Sequence, residues 1–280
     1  MARQAETGTL WVRRAKRDGL PRTLQRGIAT DRPTVPGAPW IPPALAGASP
    51  ISLAMAGGAL EADRVAWSPS FRIIASEYAG ENLFDRLADE DDLEDLRGIA
   101  DLTNPHALAE MGAIELVRPE DRIYGPGTGL IMATFAWPGR PSRFSDGERG
   151  TYYAALAEAT AVAETVYHDE AFLAGAGPVV LEKTLIEAEL DGTLVDLRRG
   201  RPAPPNVYHP ADYTAGEAFG RIVRRLEGDG IVYDSVRHRD AGGQPAGECA
   251  AVFRPPVLRN AVAARLLEYH WDGRRIARVR

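Results

Sequence analysis

The dipeptide Asp-Gly joins apolar runs at two places in this chain, and it narrows the possible folds more than any other feature. "LIEAEL" meets "TLVDLR" at Asp191-Gly192, and "LLEYHW" meets "RRIARV" at Asp272-Gly273. A two-residue hairpin loop needs positive φ at its centre, and Asp-Gly supplies it at low cost. Each site therefore predicts a pair of adjacent antiparallel strands. "AIELV", "GLIMATFAW", "VVLEKTLIEAEL", "GIVYDSV" and "ECAAVF" also read as strands. Helices are expected over 151–168 and near "AGEAFGRIVRRLEG". Strands and helices thus do not alternate as in a βαβ chain, and the expected class is α+β.

The order of these segments divides the chain. Residues 1–60 are rich in Arg, Pro, Gly and Ala, and "DRPTVPGAPWIPPALAGASP" holds too many prolines for a helix or a central strand. This stretch reads as a disordered tail, with Met55 as an alternative start. Ordered structure is expected from "RVAWSPSFRIIAS" onward, giving one body over 61–280. Within it, a helical extension spans 81–112: Leu83, Leu87, Leu93, Leu96 and Ile99 recur at helical intervals, and Pro105 ends the pattern. The acidic run from Asp89 to Asp95 reads as the solvated face of that extension.

Composition excludes several function classes. Nowhere do about 18 apolar residues run together, so no membrane-spanning helix is expected. Cys249 is the only cysteine, which rules out an intrachain disulfide and any multi-cysteine zinc site and fits a reducing, cytoplasmic setting. Eight Lys/Arg face three Asp/Glu in residues 1–50, leaving 25 against 36 in the remainder. A body that acidic repels phosphate backbones, so no direct nucleic-acid binding is expected. The five histidines, at 106, 168, 209, 238 and 270, show no metal-ligand spacing. No G-x-S-x-G elbow marks a serine hydrolase.

Two local patterns remain. "YGPGTG" places glycines at 125, 127 and 129, but a dinucleotide loop needs a helix directly after it, and "LIMATFAW" reads as a strand. If a helix covers 151–168, then Tyr153, Ala157, Ala161, Glu164 and His168 share one face. That face is either a packing surface with a solvated Glu164–His168 pair or the wall of a site. Spacing alone leaves both open.

Four ordered blocks carry more information than either pattern: "RIYGPG", "SRFSDGERGTYYAA", "AVAETVYH" and "GIVYDSVRHRDAGGQPAGECAAVFRP". In this order they resemble the RES-domain family, toxins of bacterial toxin–antitoxin pairs named for Arg, Glu and Ser positions. "RIIASEYAGENLFDRLAD" with "LTNP" is similar to the N-terminally extended branch of that family. The resemblance implies an ADP-ribosyltransferase-like fold, with a mixed or antiparallel β core and flanking helices. It also implies cleavage of the nicotinamide–ribose bond of NAD, which is consumed as a substrate with no resident cofactor or metal.

Carried over by position, the family's arginines fall on Arg122 and Arg143, its tyrosine on Tyr153, its glutamate on Glu164, its serine on Ser235 and a further histidine on His168. "SRF" stands where the family usually has Gly-Arg-Trp, a difference that leaves Tyr152 as an alternative to Tyr153. The residue types suit the chemistry. Arginine forks grip a pyrophosphate, and a carboxylate stabilises the cation that develops on the ribose. A tyrosine face can hold nicotinamide, and a serine hydroxyl can orient a ribose hydroxyl or the amide. The implied acceptor is water or phosphate, and the implied partner is an Xre-type helix-turn-helix antitoxin. Modification of a protein by ADP-ribose is the alternative activity, and an inactive binding module is the alternative of another class.

Overall fold

A computed structural model of the chain describes residues 61–280 except 81 and 104–110, with backbone alone for 98–103. The expected tail over 1–60, Met55 and Pro105 lie outside the described residues.

β-branched and aromatic residues in "ADRVAWSPSFRIIA" form a long strand, β1 (Ala62–Ala75). Two helices follow, α1 (Leu83–Arg86) and α2 (Glu90–Thr103), as the leucine spacing predicts. Asn82 starts α1 by accepting from Phe84 N–H, while Asp85 accepts from Asn82 N–H, a reciprocal cap. The acidic residues of the run 89–95 face solvent with one exception, Glu90, which binds Arg122 and Tyr124, while Leu93 turns into the core.

Two expected strands are absent. "AIELV" forms a 3-10 turn at Ile114–Leu116, and "GLIMATFA" is a helix, α3 (Gly129–Ala136). Ile131, Met132, Phe135 and Ala136 of α3 are all buried. A short helix that is apolar on every side has no 3.6-residue pattern, so periodicity cannot separate it from a strand. The helix that a dinucleotide loop requires is therefore present after "YGPGTG". Its N-terminus is already occupied, because the Asp85 carboxylate accepts from Gly129 N–H at 2.9 Å where a phosphate would sit.

The predicted helix over 151–168 divides into β2 (Tyr152–Ala155) and α4 (Glu158–Phe172). Tyr152 through Ala155 pair antiparallel with β5 (Glu248–Val252), so tertiary pairing overrides the helical propensity of "YYAA". Next comes β3 (Val179–Asp196), 18 residues long, which runs straight through Asp191-Gly192. The expected hairpin there does not form. β1 pairs with one edge of β3 through this point, with Ala66 opposite Asp191 and Val65 opposite Gly192. The Asp191 carboxylate takes a bidentate bond from Arg64 instead of closing a turn.

The second hairpin forms as expected. β6 (Leu258–Trp271) and β7 (Ile276–Val279) are antiparallel neighbours. Their loop spans Asp272–Arg275, with Asp272 N–H donating to Arg275 O and Gly273 at φ +98°. The remaining elements are α5 (Thr214–Arg225) and β4 (Gly230–Asp234).

The strands make one seven-stranded sheet in the order β1-β2-β5-β4-β3-β6-β7. Pairing of β1 with β3 closes the first five into a ring. Only β3–β4 is parallel, so the fold is α+β with a mixed, mainly antiparallel core, as expected. β4 and β5 are buried on both faces. Val232, Ala250 and Val252 enter one core cluster with α3, and Ile231, Tyr233, Cys249 and Ala251 enter a second one beneath α4 and α5. No helix among the described residues is long and apolar enough to cross a membrane.

Candidate active site

The second cluster leaves a cavity of about 220 Å³ above it. Arg72, Arg143, Tyr153, Glu164, His168 and Tyr213 line it, drawn from β1, β2, α4 and two loops. On α4 the positions Ala161, Glu164, Thr165 and His168 face inward, one helical stripe with a small residue at its start. Glu164 therefore lies on the cavity wall rather than on the solvated face. Tyr153 reaches the same space from the strand, and Ala157 sits just before the helix.

Arg143 occupies the tip of a tight turn, closed by Ser142 N–H to Ser145 O at 2.7 Å and Ser145 N–H to Ser142 O at 3.1 Å. The turn lies directly on α5. A Cβ at Gly216 would come within 2.1 Å of Arg143 O, and one at Gly220 within 2.1 Å of Phe144 O. Two glycines one helical turn apart thus let the Arg143 backbone settle on the helix. Arg143 Nη1 donates to Val207 O and His209 O, and its guanidinium stacks on Tyr213, 4.9 Å from the ring centre. Nε and Nη2 have no partner among the described residues.

Tyr153 braces the same turn. Its hydroxyl bonds Ser142 Oγ at 2.9 Å and accepts from Phe144 N–H at 3.0 Å, and burial raises its pKa. Tyr152 points the opposite way, fully buried in the first core cluster. Side chains of adjacent strand residues face opposite sides, so only one of the two tyrosines can reach the cavity.

Glu164 Oε1 accepts from Ser235 Oγ at 2.6 Å and from Cys249 Sγ at 3.8 Å, while Oε2 has no partner among the described residues. Ser235 is wholly buried and does not line the cavity. Its oxygen also accepts from the backbone N–H groups of Arg237 and His238. The Ser235 hydroxyl thus donates its proton to Glu164 and sits behind that carboxylate, away from the cavity lining. His168 stands at the edge of the cavity with much of its ring exposed. Desolvation, with Arg237 and Arg143 adding to it, holds its imidazole below the usual histidine value despite Glu164.

Arg122 is the expected site residue that the structure does not bring here. Its side chain is 6% exposed, pairs with Glu90, and donates to Val117 O and Ile114 O. Those bonds tie α2 to the segment before α3, and Arg122 does not line the cavity.

Arg72 is a second arginine that lines the cavity, and the motif reading missed it. It lies on β1, stacked on the Tyr152 ring at 4.4 Å, with one long bond to Tyr153 O at 3.5 Å. Burial lowers its pKa, and among the described residues it has no carboxylate partner. Its signal in the sequence is a lone charge inside the apolar stretch "SFRIIA". Two arginines without carboxylate partners thus line a cavity with one carboxylate, although the Arg72 guanidinium itself lies against the Tyr152 ring. Removing a guanidinium from water without a paired anion is costly, so an anion beside these arginines would be favourable.

Comparison with known proteins finds likenesses of three kinds. Residues 119–272 match the family described as RES domain. A relative from Sinorhizobium fredii (strain NBRC 101917 / NGR234), described as uncharacterized protein y4oC, is 28% identical over 221 residues, which cover 77% of this chain and 88% of the relative. Among solved structures, the crystal structure of the M. tuberculosis MbcT–MbcA toxin–antitoxin complex is similar with a TM-score of 0.32 and 14% identity, over 43% of this chain and 70% of that one.

Proposed function

Because the chain belongs to the RES-domain family, with more than half its length matched, we propose that it cleaves the nicotinamide–ribose bond of NAD. One observation carries the reading. Arg72 and Arg143, neither paired with a carboxylate among the described residues, line the same cavity as Glu164, whose Oε2 is free to accept hydrogen bonds.

In this reading the two guanidinia take the pyrophosphate, with Tyr152 and Tyr213 fixing their planes from below. The Tyr153 ring and neutral His168 flank the nicotinamide end. Glu164 Oε2 accepts from a ribose hydroxyl and offsets the positive charge that builds on the anomeric carbon. The C–N bond breaks with its electron pair going to the pyridinium nitrogen, so nicotinamide leaves neutral. Water or phosphate then forms the new bond to the anomeric carbon, a water acceptor giving up one proton. Ser235 acts as a positioning residue, holding Glu164 Oε1 so that Oε2 faces the sugar.

Family membership supports a role as the toxin of a toxin–antitoxin pair, depleting NAD in the cytoplasm until an Xre-type helix-turn-helix antitoxin covers it. The test is to incubate purified protein with NAD, with and without phosphate, and to follow free nicotinamide and the ribose-bearing product. Nicotinamide release is expected, and Glu164→Gln should slow it by about 100-fold or more while leaving the fold intact. Phosphate-dependent release would identify a phosphorylase, and label on protein a transferase. No release from antitoxin-free protein would overturn the reading, leaving a binding module.

A further inference from the structure

A second cavity, of about 240 Å³, shares no lining residue with the first. Five arginines line it, at 118, 149, 224, 225 and 254, against two carboxylates, Asp121 and Glu227. That concentration of positive charge stands out in a chain of net charge -6.

Both carboxylates are already engaged. Asp121 pairs with Arg254 at 2.6 Å and Arg118 at 3.0 Å, and Glu227 pairs with Arg118 at 3.1 Å. Arg149, Arg224 and Arg225 have no carboxylate within ion-pair distance among the described residues. Arg224 is the most confined of the three. Its guanidinium stacks on Phe253, 4.0 Å from the ring centre, and Nη2 donates to Gly150 O at 2.7 Å and Thr151 Oγ1 at 2.6 Å. Nε and Nη1 have no partner among the described residues. Burial lowers its pKa to about 10, and neighbouring Arg149 acts in the same direction. A guanidinium fixed by stacking and two hydrogen bonds, short of a counter-ion and flanked by two further arginines, is preorganised for an oxyanion. Fork geometry and multiple positive charges favour a phosphate group over a monoanionic carboxylate.

We propose that this cavity is a second binding site, for a phosphate-class oxyanion held by Arg224 with Arg149 and Arg225 closing on it. The site shares no lining residue with the first cavity.

Calorimetric titration of the full chain with inorganic phosphate and, separately, with adenosine monophosphate tests it. Free phosphate and a phosphorylated ligand share the recognised group, so binding of both points to the free ion, and binding of the nucleotide alone to a phosphoryl group on a larger molecule. Arg149→Ala combined with Arg225→Ala should weaken binding about tenfold or more, while Arg143→Ala leaves this site unchanged. Both substituted arginines are exposed, and an unaltered melting temperature without anion will verify the fold. Arg224→Lys, which keeps charge and loses the fork, should weaken binding as well. Equal binding by the parent and the double variant, or binding of neither probe to the parent, overturns the proposal.

Discussion

Glu164 shows how a carboxylate is made available from behind. Its Oε1 is held by a buried hydroxyl while Oε2 has no partner among the described residues, so Ser235 orients the group without itself lining the cavity. Ser235→Ala would take a donor from Glu164 and an acceptor from two backbone N–H groups. A loss of about 1–3 kcal/mol in denaturant unfolding is expected, with kcat for nicotinamide release falling and KM changing little. His168 gives a second prediction. Its folded pKa lies below the usual 6.5, so between the folded value and 6.5 the unfolded chain binds more protons, and stability rises with pH there. Acidification through that window should destabilise the protein, by a small amount because the ring is exposed. His168→Gln should flatten that part of the pH–stability curve; an unchanged slope would exclude the linkage.

Among the elements, α5 sets the position of Arg143. Gly220→Ala would drive a methyl into Phe144 O, 2.1 Å away. Overpacking of this kind costs about 1–3 kcal/mol, and the turn must shift, so both melting temperature and NAD cleavage should fall. Gly139→Ala, with open space around it, should change neither. The elements also show where sequence reading works. The leucine spacing of α1 and α2 and the β6–β7 hairpin follow from local pattern, because one buried face or one turn decides them. β3 does not: continuous pairing with β1 outweighs the turn propensity of Asp191-Gly192. α3 escapes for the opposite reason, having no polar face to reveal its period. Arg143, Tyr153, Glu164 and His168 were legible as a set through family order, and the structure brings them to one cavity. Arg72 was not, because its place beside the cavity depends on β1 pairing across the ring, a contact more than 100 residues distant in sequence.

On the scale of the whole molecule, the site exists because the sheet closes. β1 lies before the family-matched residues 119–272, yet it pairs with β3 along nearly its full length and contributes Arg72. The extension also accounts for Arg122, which fastens α2 to the body and does not line the cavity. The central claim is that Arg72 and Arg143 together hold the phosphates of NAD beside Glu164. Calorimetric titration of the Glu164→Gln protein with NAD tests it most directly. Binding is expected, with affinity falling about tenfold or more when Arg72 or Arg143 is also changed to Met, since each charge-assisted contact contributes about 1.5–3 kcal/mol. Equal affinity in all three proteins would contradict the account.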